Sequence, residues 1–505
     1  MSALLPRLFL YHDTFFYIKT QELFFYDIYG IIIHNNRESI MNNEKLKRKQ
    51  SLKVIISEAI MVLAVIVTVA ILALIVSGYW LNSDFKVERN GMLQVSSTPS
   101  GADLDIDGES SWLQRTNTSK VISSGEHVVT ISKDGYDSWT KTVNITEGLL
   151  YRIHYPRLFL ENRTAEKVLN TTGSTLATIS PDGTTLLLMG DTTEWKIVNL
   201  NNDNPESKKL DISKYFSGTS LAEGATVGLF TGKIIDADWD HDSNHVLFKV
   251  ENGDSIEWVL IDVNNIKNSI NLSQEFGTDF STIKILDNSS NNLLVVRGGN
   301  LHKIDVPGRS ISAVIASNVI DFDHYENEIV FSTTNSDGKC LVKLTKIGSQ
   351  NVTELEATAN PVQVAISKFY DDMYITTLSG SIVTLHEKTE FKPIADFQLN
   401  FTPEELKVGH NGEFITMHSD SQIATLDMET KTIREWNVEG NHFGWIDNDM
   451  IYTVADGELI VYDFDGFNRR ILAKNVSDHF PATITDNKWL YYFSDGNLIR
   501  EKITN

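Results

Sequence analysis

The hydrophobic pattern changes period along the chain, and each change marks a new kind of element. Within residues 54–79, the stretch 59–76 reads AIMVLAVIVTVAILALIV, eighteen uncharged and mostly apolar residues with no polar face. At 1.5 Å of rise per residue such a run, with its flanks, crosses a hydrocarbon core as one helix. Between residues 91 and 155 the period falls to two. Leu93 and Val95, Leu104 and Ile106, Val129 and Ile131, and Val143 and Ile145 alternate with polar residues, and turns at Gly101, Gly108, Gly125 and Gly135 separate the runs. This predicts a compact all-β module. From 156 to 505 one phrase recurs: a short β-run, a polar turn, an apolar-aromatic run, a second turn and another run. Its first turns fall near Asp182, Asp242, Asn288, Tyr325, Asp371, Asn411, Asn448 and Asp486, about 37 to 60 residues apart. That spacing predicts four-stranded blades stacked radially in a β-propeller. Eight blades are expected, with seven as the alternative, because irregular repeats are easily miscounted. The last repeat ends after two inner strands. Arg157, Leu158, Phe159 and Leu160 are placed to supply its outer strand and close the ring.

Charge sets an expected topology. Lys45, Lys47, Arg48, Lys49 and Lys53 precede the apolar run, whereas Asp84, Lys86, Glu88 and Arg89 on its far side balance one another. Basic residues favour the cytoplasmic side, so residues 1–53 are expected inside, 54–79 in lipid and the remainder outside. A cleaved signal peptide is the rival reading, but the run is long for one, and Val76-Ser77-Gly78-Tyr79 is a poor cleavage site. The aromatic clusters of residues 1–40 are interrupted by Asp13, Lys19, Glu22 and Asp27, leaving no second span and only a weak interfacial stretch at 28–33. Met41 opens a polar, basic head, MNNEKLKRKQSLK, and is the expected translation start. The net charge is −23, and the part beyond residue 80 carries 36 basic against 61 acidic side chains. Such a surface repels nucleic acid and anionic lipid and favours cationic or sugar-like partners. Cys340 is the only cysteine, so no intramolecular disulfide forms. A large extracytoplasmic region without disulfides suits a bacterial envelope protein.

The β module carries Gly91-x-Leu93-x-Val95-x-Ser97-x-Pro99-x-Gly101-Ala102, then Asp105-Ile106-Asp107-Gly108, Gly125-Glu126-His127-x-Val129-x-Ile131 and Lys133-x-Gly135-Tyr136. In these motifs it resembles the PEGA domain, a small β-sandwich of envelope proteins. The resemblance implies a structural or adhesive module. It departs from the family at 109–120, which lacks the expected glycine and proline turn. Asp103, Asp105, Asp107 and Gly108 also begin a calcium-loop pattern, but the twelfth position is Gln114 rather than a bidentate glutamate. Outward-facing aspartates on a strand are the plainer reading.

Ser180-Pro181-Asp182-Gly183 resembles the turn of PD40 and TolB-type propeller repeats, wording that the other copies lack. No G-x-S-x-G elbow, helical zinc pair or glycine-rich phosphate loop occurs; His241 and His245 are four apart, but on predicted β-structure. Two stretches remain as candidate sites. Asp236, Asp238, Asp240 and Asp242 alternate along a predicted strand and could converge on a divalent cation. The insertion 201–233 carries Tyr215, Phe216, Leu229 and Phe230 and is a candidate partner-binding lip. The expected function is a membrane-anchored, non-catalytic recognition or scaffolding propeller without cofactor, binding envelope polysaccharide or envelope protein. The alternative is a degenerate or cofactor-dependent propeller enzyme, such as a quinone-dependent dehydrogenase.

Overall fold

The computed structural model describes residues 44–505 apart from 77–78, 82–86, 202, 224, 226, 278–279, 287–290, 359, 389–391 and 441. The expected start at Met41, the stretch 28–33 and the turn at Asn288 lie outside the described residues. The chain forms two compact units, Met1–Gly91 and Met92–Asn505.

The first unit is dominated by helix α1, Glu44–Val76. Its window Ile56–Ala73 has a mean hydropathy of 2.6, and none of that window is buried by protein. A helix this apolar, facing nothing but its surroundings, has the length and composition to cross a bilayer. It begins ten residues before the expected boundary at Val54, because Glu44-Lys45-Leu46-Lys47-Arg48-Lys49-Gln50 are all good helix formers.

The second unit starts with a β-sandwich. One sheet runs Glu109–Arg115, Asp103–Ile106, Gly125–Ser132, Trp139–Ile145; in the other, the end of strand Val87–Val95 that belongs to this unit, from Met92 on, lies between Thr118–Ser123 and, in parallel, Leu150–Ile153. The alternating apolar positions face each other across it: Leu93, Val95, Leu104, Val129, Ile131, Trp139 and Val143 are all buried. The 109–120 segment that departs from the family pattern folds as strand Glu109–Arg115 and turns at Asn117, whose φ is +70°.

Eight consecutive four-stranded antiparallel sheets follow. Their innermost strands are Leu176–Ile179, Lys233–Trp239, Thr282–Ile285, Val319–Tyr325, Gln363–Phe369, Glu405–Val408, His442–Trp445 and Thr483–Thr485, and define blades 1 to 8. Each blade's second strand is a nearly unbroken apolar run, such as Thr185–Met189 and Asn292–Arg297, because a neighbouring blade covers each face of its sheet. Shared cores prove the closure. Leu187 and Trp195 of blade 1 pack with Phe248 of blade 2. The same sharing links blades 2 and 3, 3 and 4, 4 and 5, 5 and 6, 6 and 7, and 7 and 8. Finally Tyr491 and Phe493 of blade 8 join Leu186 and Leu188 of blade 1. The count is eight.

The closing strand is Ala165–Asn170, paired with Asn497–Lys502, and not residues 157–160 as expected. The apolar pair in 157–160 is divided between two cores: Leu158 inserts into the sandwich and Phe159 into the core of blades 7 and 8. That segment is the seam between the two folds. Along it Leu160 N–H donates to Ile503 O (3.0 Å), Asn505 N–H to the Tyr136 hydroxyl (3.0 Å) and Trp139 Nε1 to Asp463 Oδ2 (2.7 Å). Lys141 bonds Asp465 in a buried ion pair, and Arg157 meets Asp447 at 2.8 Å. Phe414 and Phe464, from blades 6 and 7, belong to the sandwich's own core.

Candidate functional site

The inner strands surround the ring axis, and blade 2 brings the candidate aspartates there. A bulge between Ile234 and Asp236 resets the strand register, after which Asp236 and Asp238 face one way, toward the axial opening. Asp240 and Asp242 do not join them. Asp240 closes the following turn: its Oδ1 accepts N–H bonds from Asn244 (2.7 Å) and His245 (2.9 Å), while Oδ2 lies 2.8 Å from His245 Nδ1. Asp242 sits in the exposed turn itself, 3.6 Å from His241. The expected row of four carboxylates is therefore two facing the axis and two in a turn, because the strand ends at Trp239.

The axial opening is divided. His241, in the first turn of blade 2, stacks on His410, in the first turn of blade 6, with ring centroids 4.9 Å apart and planes 30° apart. Blades 2 and 6 are four apart in a ring of eight, so these turns meet across the axis. The His410 turn ends at Gly412, whose φ is +73° and whose added Cβ would come 2.4 Å from Lys368 O of blade 5; only glycine fits there. On one side of the contact lies a cavity of about 870 Å³ walled by blades 2 to 6, and on the other one of about 810 Å³ walled by blades 6, 7, 8 and 1. Lys407 borders both.

The larger cavity is rich in charge. Lys284 of blade 3 meets Asp323 of blade 4 at 3.0 Å. Burial works against its ammonium, but Asp323, Asp321 and Asp238 outweigh that and raise its pKa. Glu405 lies 2.8 Å from Lys407 and 3.0 Å from His418 Nε2; mainly through the His418 bond its pKa is lowered to about 2. Asp321 is raised by burial, although its Oδ2 accepts Val364 N–H at 2.9 Å. Asp238 is exposed to the water of the cavity. Desolvation by the dense walls around it first, and Asp236 second, push its pKa up to about 6 against the pull of Lys284 and Lys407. Among the candidate residues read from sequence, only Asp236 and Asp238 belong to this cavity. Lys284, Asp321, Asp323, Glu405 and Lys407 join them from three other blades, and no spacing signal in the chain links them.

The insertion 201–233 is fastened to the outside of blades 1 and 2. Phe216 and Phe230 are core residues, with ring centroids 5.2 and 5.6 Å from Trp195, so they cannot face a partner. Buried Glu257 holds the loop by accepting Ser217 N–H (3.0 Å) and a bond from Asn271, whose side chain also donates to Tyr215 O at 2.8 Å. Tyr215 is partly buried against that core, and Leu229 is exposed.

The sandwich aspartates do not form a calcium loop. Asp105 caps Gly108 N–H at 2.8 Å, Asp107 pairs with His127 at 2.6 Å and accepts Val128 N–H at 2.8 Å, and Asp103 faces Arg115. One His/Glu/Glu group does bring its ligand atoms within 4.8 Å of one another: His154, Glu413 and Glu429, at the seam. It is internally paired, His154 to Glu413 at 2.7 Å and Arg152 to Glu429 at 2.8 Å, and acts as a strut between sandwich and blade 6.

Residues 90–157 match the model of the PEGA domain. No curated protein matches the chain. Solved structures with a similar course include Hsv2p of Kluyveromyces lactis, at 11% identity and a TM-score of 0.40, covering 59% of this chain and 97% of that one. Another is an oligogalacturonate lyase from Vibrio parahaemolyticus, at 10% identity and a TM-score of 0.36, covering 52% and 88%.

Proposed function

We propose that this protein is a membrane-anchored envelope receptor whose propeller recognises a ligand without covalent chemistry. Helix α1 serves as a single-pass anchor with its basic flank inside, and the unit Met92–Asn505 lies outside the membrane. The observation that carries the recognition reading is the cavity of about 870 Å³ among blades 2 to 6, lined by polar and charged side chains from five blades. A recess of that size, on a scaffold held rigid by shared cores, has the form of a preformed binding site. The PEGA sandwich is welded to blades 6 to 8 rather than tethered, so it fixes the propeller's orientation relative to what it holds. Envelope polysaccharide is the partner class that suits a polar, net-acidic recess; an envelope protein is the other.

The test uses full-length protein in lipid nanodiscs, immobilised and exposed to solubilised envelope polysaccharide and envelope proteins. Wild type should retain material that Thr282→Trp, which fills the cavity, does not. A second variant, Leu221→Ser with Leu229→Ser, blunts the exposed apolar tip of the insertion without touching Phe216 or Phe230. Loss in this variant alone would move the site to the insertion. Retention of nothing by wild type would sink the receptor reading.

A further inference from the structure

We propose that sandwich and propeller become joined by a covalent bond, an intramolecular amide formed when Lys141 Nζ condenses with the side-chain carboxyl of Asp465. The strand Trp139–Ile145 marks Lys141 as anomalous. Its residues alternate strictly between buried and exposed, and Lys141 falls on the buried face with Trp139, Val143 and Ile145. A lysine is seldom enclosed in this way without a dedicated partner. The partner, Asp465, lies 324 residues further along the chain, in the turn after the blade 7 strand Glu458–Asp463. That turn is rigid. Gly466 N–H donates to Asp463 O at 2.9 Å, and Gly466 has a φ of +81° with an added Cβ 2.6 Å from the Trp436 ring, so only glycine fits.

Seclusion, orientation and an unmet bond separate this pair from an ordinary ion pair. Among the described lysine–carboxylate pairs it alone has both side chains less than a tenth exposed, at 8% and 4%. Lys284 and Asp323, by contrast, open onto the water of the axial cavity. Lys141 Nζ donates to Asp465 and, at 2.6 Å, to the Tyr155 hydroxyl, with the ring centroids of Tyr155 and Phe464 at 4.7 and 5.1 Å. Asp465 Oδ1 is buried and accepts no hydrogen bond from any described residue. A buried carboxylate with one oxygen unbonded is costly, as is any enclosed pair of full charges; an amide carries neither charge.

The condensation balances without a co-reactant. A proton passing from Nζ to Oδ2 along their contact leaves an amine whose lone pair faces a carboxylic acid. Nζ then bonds Cγ, a second proton passes from Nζ to the departing oxygen, and the Cγ–Oδ2 bond breaks. Of the three ammonium protons, two leave in the water and one remains as the amide N–H; the net charge of the pair is zero before and after. The Tyr155 hydroxyl is in place to accept from that N–H, and Oδ1 becomes the amide carbonyl. One dry, fixed contact supplies the proximity that two such groups lack in free solution. The ion pairs Arg157–Asp447 and Arg163–Glu501 cannot follow this course, because a guanidinium keeps its proton.

The experiment is tryptic peptide mapping by mass spectrometry on full-length protein purified from membranes and denatured before digestion. Trypsin does not cut after an acylated lysine. Wild type should therefore yield peptide 134–152, uncut at Lys141 and joined to peptide 435–469, with a mass one water below the sum of the two. Fragment ions should place the branch at Lys141 and Asp465. Lys141→Arg keeps the positive charge without the nucleophile and should yield only the unbranched peptides 134–141 and 435–469, as should Asp465→Ala for the peptides spanning its site. Wild type that yields only unbranched peptides, even after days of incubation in the folded state, would overturn the proposal. That result is read on the wild-type chain, so it holds whether or not either variant folds. A branch placed at any other pair of residues, or one that persists in Lys141→Arg, would overturn it as well.

Discussion

Asp449, beside the seam, has its pKa pushed up to about 7 by burial, then by Asp447 and Glu413, against the pull of His154 and Arg157. A carboxyl raised in the folded state favours folding below its unfolded value near 3.8, and that contribution is lost as pH rises through about 7. Asp449→Asn imitates the neutral acid at every pH. It should therefore raise Tm by about 2 °C or more at pH 8 and by nothing at pH 4, measured by scanning calorimetry. A gain of equal size at both pH values would mean that packing, not ionisation, is responsible. Asp238, which faces the axial cavity, is likewise raised to about 6. Neither shift is legible in the sequence. Asp238 can be read there as one member of an alternating acidic row, but its surroundings depend on Lys284, which pairs with Asp323, and on the turn that takes Asp240 away.

The first turn of each blade was readable because a four-stranded antiparallel unit imposes a polar break after each inner strand; the seven such turns that lie in described residues fall where the period placed them. The closing strand was not readable, for a physical reason. Apolar content points to Leu158 and Phe159, yet these serve two different cores, whereas the real closing strand, Ala165-Glu166-Lys167-Val168-Leu169-Asn170, is largely exposed and reads as polar. An outermost strand needs only one buried face, so its signal is weak. Its energetic role is nonetheless large, since Val168 and Leu169 pack on the core that joins blades 8 and 1. Replacing residues 165–170 by a Gly/Ser linker of equal length should lower Tm by many degrees and shift the whole transition. An unchanged melt would show that blade 8 holds without this strand. The axial cavity escaped the sequence for a related reason: its charged groups come one or two per blade, tens of residues apart, and only the ring brings them together.

The sandwich and the propeller look separable in sequence, since their periods and motifs differ, but the fold joins them through buried polar contacts that no local pattern reveals. Lys141 of the sandwich bonds Asp465 of blade 7 and donates to the Tyr155 hydroxyl at 2.6 Å; both members of the ion pair are buried. Removing one partner of such a pair strands the other charge, at a cost of about 3–5 kcal/mol. If the sandwich were an independent bead, Lys141→Met would weaken only it, and a melt would show a small early transition that moves while the larger one stays. The shared core of Trp139, Tyr155, Phe414 and Phe464 predicts otherwise. Wild type and Lys141→Met should each unfold in one calorimetric transition spanning sandwich and propeller, the variant's lower by about 5 °C for a unit of this size. The same coupling bears on function: a propeller that cannot swing on its sandwich presents its axial cavity in one fixed orientation.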